Sequence, residues 1–318
     1  MRKKFLYLLV LVSVSVASSC NKDGVITTSV DDFYRARTES SKGEFSKVFE
    51  YTPAPGQFIN ETRTGGFDGS QTTAEAAVKY AEQRMRNNLF VSLGGFGGYI
   101  VVGFDHSIDN VAGYDIAIKG NAFKGSSEPG IVWVMQDENG DGQPNDTWYE
   151  LKGCESGKST TIQNYSVTYF RPEGEQQPVK WRDSEGNEGE IDYLQAYHPQ
   201  PSYYPAWIKE ESYTLSGTFL KPKNYDQSGN GTYWVQEEYE WGYADNFSPT
   251  DFCKDAPLKA CNFFDISNAI ASNGSVKELK FIDFIKVQTA CNTKSGWLGE
   301  NSAEVFGFYD YIMTNSAN

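Results

Sequence analysis

The residues best placed to do chemistry lie at 137–146, reading Asp-Glu-Asn-Gly-Asp-Gly-Gln-Pro-Asn-Asp. Asp137, Asn139 and Asp141 offer side-chain oxygens at alternate positions, and Gly142 stands sixth, where a metal loop turns sharply. A hard cation such as Ca²⁺ takes about six to eight oxygens, and this spacing brings three into one short turn. The loop departs from an EF-hand because Trp148 occupies the twelfth place, so Asp146, with the carbonyl of Gln143, has to close the shell. The spacing therefore predicts a structural Ca²⁺ on Asp137, Asn139, Asp141 and Asp146. The other reading is an acidic hairpin tip that binds nothing.

The second candidate set is aromatic. Tyr197, Tyr203, Tyr204 and Trp207 crowd among Pro199, Pro201 and Pro205, and Trp234, Tyr239, Trp241 and Tyr243 follow a Gly-rich loop. Proline-broken, glycine-rich surroundings point to loops, and rings on loops form platforms for sugars or large ring ligands. The expected ligand site is Tyr203, Tyr204, Trp207, Trp234 and Trp241, with Asn224, Asp226, Gln227 and Asn230 as polar partners. The alternative is that these rings are core. Catalysis has less to stand on. With only His106 and His198 in the chain and no G-x-S-x-G or H-E-x-x-H, hydrolase triads and His-rich metal sites are disfavoured. Gly153 to Ser159 falls one residue short of a phosphate loop. A carboxylate pair for glycoside cleavage stays open, since 42 acidic residues offer many pairs and none stands out.

The frame that must hold these groups has the material for a packed core, with 318 residues at 39% hydrophobic and 15% aromatic. Thirty glycines with abundant Tyr and Phe suit short strands and tight turns. A net charge of −14 without a basic patch disfavours nucleic acid and anionic membrane surfaces as partners. Arg2-Lys3-Lys4, the apolar run to Val16 and Ala17-Ser18-Ser19-Cys20 read as a secretory signal over 1–19 ending in a lipobox, with Cys20 acylated. The expected membrane contact is that lipid anchor alone. Lys22-Asp23 partly resembles the acidic export signal of surface lipoproteins. Residues 20–44 read as anchor and flexible tether, and 45–318 as the domain, with a possible subdomain after 200. Cys154, Cys253, Cys261 and Cys291 make an even count that suits disulfides in an oxidising compartment, or thiols that stay reduced in an anaerobic one.

Period-two patterns predict strands at 46–51, 99–104, 114–118, 131–135, 148–151, 165–170, 213–215, 263–266, 281–287 and 305–312. A hairpin is expected around 183–187. One helix is expected over 73–86, with Thr72 to Glu75 as a capping box and Ala74, Val78, Ala81 and Met85 as its buried face. The pattern as a whole predicts an all-β, jelly-roll-like sandwich with one accessory helix.

Several separated motifs carry a resemblance: Pro53 to Phe58, Gly97-Gly98-Tyr99-Ile100, Gly120-Asn121-Ala122-Phe123, Glu128-Pro129-Gly130, the 137–149 loop and Lys286-Val287-Gln288-Thr289. Together, across 45–315, these resemble cell-surface lipoproteins of gut Bacteroidetes. Such proteins are often encoded beside outer-membrane uptake systems for cobamides, and some capture vitamin B12. The resemblance implies a cobamide-capture protein at the cell surface that works with a TonB-dependent outer-membrane transporter. It assigns no ligand-binding residue. A glycan-binding module, or a glycan-active surface protein, is the competing expectation.

Overall fold

The computed structural model describes residues 29–315, so the signal sequence, Cys20 and the first part of the expected tether lie outside the described residues. Strand β1 (Lys47–Thr52) takes up the weak alternation near 46, and helix α1 (Ala74–Arg86) follows. The glycine-rich stretch then gives β2 (Val91–Ser92), β3 (Tyr99–Asp109), β4 (Ile116–Lys119), β5 (Gly130–Met135) and β6 (Tyr149–Leu151). Beyond it run β7 (Ile162–Phe170), the hairpin β8 (Val179–Asp183) and β9 (Glu188–Ile191), and β10 (Ser212–Phe219). A second hairpin joins β11 (Asn224–Asp226) to β12 (Trp234–Gln236). The last strands are β13 (Cys261–Phe264), β14 (Ala269–Ile270), β15 (Phe281–Thr289), β16 (Glu304–Val305) and β17 (Gly307–Asp310), before the short helix α2 (Tyr311–Asn315). At 32% strand and 10% helix the chain is all-β.

The principal sheet has six antiparallel strands in the order β1-β3-β15-β5-β6-β14. Its central strand β15 is buried along nearly its whole length, which explains an almost continuous apolar run where a half-wet strand would alternate. A four-stranded sheet, β10-β7-β8-β9, faces it to make the sandwich. Tyr169 donates from its hydroxyl to the carbonyl of Phe96 at 2.9 Å, and Gln288 Nε2 on β15 donates to the Ser216 carbonyl on β10 at 3.0 Å. Strands β13, β4 and β17 form a third sheet beside these two. After residue 200 the chain returns to strands laid down earlier, β10 pairing with β7 and β15 with both β3 and β5.

Helix α1 packs on β1 through Ala77, Tyr80, Ala81 and Met85. Its cap lies one residue later than the sequence pattern implies. Thr73 is the N-cap and accepts from the Ala76 amide at 3.2 Å, so the Glu75 expected to complete a capping box sits inside the first turn. Ala81 and Met85 are buried as expected and Val78 packs against the core, while Ala74 in the first turn is exposed and Ala77 and Tyr80 complete the buried face. None of the described helices is long and apolar enough to cross a membrane. Cys154, Cys253, Cys261 and Cys291 are free thiols, so of the two expectations the reduced one describes this structure.

The end of the expected tether is docked. Arg35 and Ser107 exchange bonds, the Arg35 amide donating to Ser107 Oγ at 3.0 Å and the Ser107 amide to the Arg35 carbonyl at 2.8 Å. The Arg35 guanidinium reaches Asp283 Oδ1 at 2.9 Å and the Phe104 carbonyl at 2.8 Å, while Arg37 reaches Asp310 at 3.0 Å. Both acids are fully buried. A soluble chain starting at residue 45 should therefore lose at least about 2 kcal/mol of unfolding free energy relative to one starting at 29, because two buried carboxylates lose charged donors. Denaturant unfolding of both chains measures this, and equal midpoints would mean the docking contributes nothing. His106 is buried between Asp105 (2.7 Å) and Asp310 (3.0 Å). Burial opposes its charge, but the hydrogen bonds to Asp310 and Asp105 carry its pKa above the usual value. A raised folded pKa gives stability that is present below the unfolded value of about 6.5 and is lost as pH rises through the folded value. His106→Asn should flatten the pH–stability curve over that window.

Candidate functional site

Residues 137–146 form a loop whose oxygens are already engaged. Asp137 is buried and accepts from the Gly140 amide at 2.7 Å and the Gly142 amide at 2.9 Å. Asn139 accepts from the Asp141 amide (2.8 Å), Asp141 from the Gln143 amide (2.8 Å) and Asn145 Nδ2 (2.9 Å), and Asp146 from the Glu138 amide (2.9 Å). Asp137, Asn139 and Asp141 act as turn caps, each meeting a backbone amide two to five residues ahead. Gly140, at φ +76°, has room for no side chain because Phe33 packs against it. A group of acids among the described residues that could hold a metal ion lies elsewhere, at Glu128, Asp245 and Glu304.

Those three come from distant parts of the chain. The 120–122 turn wraps Asp245, whose Oδ1 accepts from the Asn121 amide at 2.8 Å and the Ala122 amide at 2.9 Å. Gly120 is required there, since a Cβ would stand 2.4 Å from that oxygen. Asp245 Oδ2 accepts from the Glu304 amide at 2.9 Å, which ties in β16. Glu128 follows as the chain leaves this turn, its amide bonded to the Asp245 carbonyl at 3.0 Å and its Oε1 accepting from Gln236 Nε2 (3.1 Å) and the Ser302 amide (3.2 Å). One oxygen from each acid lies within 4.8 Å of the others. Asp245 and Glu304 are buried and Glu128 is partly so. Desolvation raises all three pKa values, and mutual repulsion adds to the rise for Asp245 and Glu304. No lysine, arginine or histidine among the described residues forms an ion pair with them. The group is one that could hold a metal ion.

The expected aromatic site does not assemble. Tyr203 and Tyr204 are 0% and 2% exposed and pack with Tyr193, Tyr213 and Leu215 between the sheets. Trp207 is 8% exposed in a different cluster, stacked on Phe67 at 5.9 Å and close to Tyr51 at 5.8 Å. Trp234 turns inward against Gly296, because Tyr225 and Val235 pair on the opposite face of the β11–β12 hairpin. Trp241 lines a hollow of about 270 Å³ with Tyr114, Phe263 and Asp251, below the 300–1,000 Å³ that hold drug-sized ligands. The polar partners are spent as well: Asn224 bonds Lys294 and Ser295, and Asp226 and Asn230 cap their own turn.

The open aromatics lie elsewhere. Tyr197 (51% exposed) and Trp297 (44%) sit with ring centroids 5.8 Å apart, and Trp297 Nε1 donates to the Thr232 carbonyl at 3.4 Å. Lys294, on the loop that carries Trp297, lines a groove of about 590 Å³ together with Trp181, Lys180, Arg182, Glu188 and Glu190. Lys294, three residues before Trp297, bonds Asp192 at 2.6 Å and so joins the 192–197 loop to the 294–297 loop at the groove. Trp181 keeps its place because Gly189 lies opposite it on β9, where a Cβ would meet its ring at 2.4 Å. Trp297 was not among the expected anchors, although Gly296 and Gly299 on either side mark it as a ring on a turn.

Compared with known proteins, the sequence matches no family model and no curated relative. The geometry of the site itself is what speaks for its function.

Trp207→Ala should behave as a core truncation and cost about 3–5 kcal/mol of stability in denaturant unfolding. A stable Trp207→Ala variant would return that ring to the surface anchors.

Proposed function

We propose that the chain is a lipid-anchored, cell-surface protein that captures a cobamide and passes it to a TonB-dependent outer-membrane transporter. On this reading the ligand occupies the groove beside Trp181 and Lys294, with Tyr197 and Trp297 as an aromatic rim. The observation that carries it is that Lys294, which lines the groove, sits on the loop of Trp297 and through Asp192 ties it to the loop of Tyr197, so that the exposed aromatic pair is joined to the groove. A corrinoid is a broad, flat ring with amide arms, and it needs wide aromatic contact edged by hydrogen-bonding groups. Trp181 and the Tyr197–Trp297 pair offer the first, and Lys180, Glu190 and Lys294 the second. The lipobox at Cys20 and the motif resemblance support the location and the ligand class. Ca²⁺ belongs to the proposal as a structural cofactor and takes no part in ligand chemistry. The second reading is a glycan-binding module, since a tilted aromatic pair also suits the apolar face of a sugar.

Calorimetric titration of the soluble domain with cyanocobalamin and with a panel of polysaccharides separates the two. Trp297→Ala should weaken cobamide binding at least about tenfold while leaving the Tm unchanged, as removal of an exposed anchor does. Binding to a polysaccharide without cobamide binding would favour the second reading, and release of reducing sugar would make the protein an enzyme. Full affinity in both Trp297→Ala and Tyr197→Ala would remove the groove from the proposal.

A further inference from the structure

We infer that Glu128, Asp245 and Glu304 hold one hard divalent cation, with Ca²⁺ the ion that best fits the oxygen set. Oxygens bound to one Ca²⁺ at about 2.4 Å can lie at most about 4.8 Å apart, and one oxygen from each of these three acids lies within 4.8 Å of the others. Three carboxylates with no nitrogen or sulfur ligand beside them suit Ca²⁺, Mg²⁺ or Mn²⁺ and not the softer metals.

The second observation is a set of acceptors without donors. Glu304 Oε1 is buried within the cluster and has no hydrogen-bond partner. On the same stretch of chain, Glu300 Oε2 and Asn301 Oδ1 are also buried and unpartnered. Glu300 is close enough to Glu128 and Glu304 for their charges to interact. A buried acceptor with no donor costs about 1–3 kcal/mol, and more when it is charged. Elsewhere in this protein a buried carboxylate is met by amides, hydroxyls or a guanidinium, as at Asp283 and Asp115. Here only part of the demand is met, and what is missing is positive charge. One divalent ion supplies it to all three acids together.

The ion would clamp three separate segments, the 120–130 stretch, the strand-like chain at 244–245 and the 300–304 stretch. The inference is independent of the cobamide reading, and its test uses no organic ligand. Chelator-treated soluble domain is titrated with CaCl₂, MgCl₂ and MnCl₂ at neutral pH, followed by calorimetry and thermal unfolding. Millimolar Ca²⁺ should raise the Tm by at least about 3 °C and bind with a stoichiometry of one. Glu304→Gln and Glu128→Gln keep the side-chain shape while removing a ligand charge. Each should weaken Ca²⁺ binding at least about tenfold, and the neutral amide that Glu304→Gln introduces relieves repulsion, so the metal-free variant remains folded. Asp141→Asn, in the self-capped 137–146 loop, should leave the response intact. No binding of any of the three ions to the wild-type domain would overturn the inference. So would a response abolished by Asp141→Asn and retained in Glu304→Gln, which would return the ion to the acidic loop.

Discussion

A carboxylate that leaves water must find donors, and the way this chain meets that demand governs how its long connections close. An all-β protein with seventeen described strands, several of only two or three residues, has more loop backbone than ladders can satisfy. Acidic side chains fill the gap. Glu61 accepts from the amides of Arg63, Thr64 and Gly65, at 3.1, 2.6 and 2.7 Å, and folds the 61–65 loop around itself. Although desolvation pushes its pKa upward, these bonds outweigh it and hold the value at about 2. Asp115 joins the Val111 and Ile266 amides, and Asp251 joins Gly242 to Asn262. Asp283 on the central strand gathers Arg35, Ser107 and the Asp137 amide, so one buried acid fixes the N-terminal segment and the foot of the acidic loop together. Much of the net negative charge thus does internal structural duty.

The same rule explains what sequence patterns convey and what they do not. Strand identity is local: alternation at 165–170 and the apolar run at 281–287 each reflect which face of one strand meets the core, and both appear as β7 and β15. The helix is local too, and only its cap slips by one residue. Which aromatic ring is wet is decided by partners far away in sequence. Proline around Tyr203 and Tyr204 correctly marks an irregular segment, yet its two rings are buried in a hydrophobic cluster while Pro201 and Ala206 beside them stay exposed. A loop is not an exposed loop when the faces on either side of it need filling. Trp234 fails for a subtler reason, because one step along a strand reverses the face, and Tyr233 rather than Trp234 points outward at 59% exposed.

The acidic loop and the carboxylate centre make an instructive pair. In the loop, alternate oxygens within ten residues resemble a metal site, but a short Gly-rich turn exposes its own amides, and each oxygen finds one within two to five positions. Close spacing favours self-capping as much as chelation. In the centre, the acids stand at 128, 245 and 304, so no short window of sequence contains two of them. The signals that were present are the glycines and the turn: Gly120-Asn121-Ala122 wraps Asp245, and Glu128-Pro129-Gly130 sets Glu128 against it. Both belong to the motifs that carried the family resemblance. Their physical content is now a carboxylate cradle.

The stretch 293–304 connects the two parts of the candidate function. It begins near Lys294, which lines the groove, and Trp297, passes through Glu300 and Asn301, whose Oε2 and Oδ1 have no partner, and ends at Glu304 in the acidic centre. Between them it is pinned by Gln57, whose amide donates to Glu300 Oε1 at 2.8 Å and whose Nε2 donates to the Leu298 carbonyl at 2.7 Å. The turn that opens with Gly296 and closes with Gly299 carries Trp297 and is held by the Gln57 bond to Leu298 at its middle and by what its two ends are fastened to. At one end that fastening is the Trp297 bond to Thr232. At the other it is a cluster of like charges, which repel when empty and attract through a shared cation when filled. The cation proposed for that centre would steady the stretch that carries Trp297 without touching it.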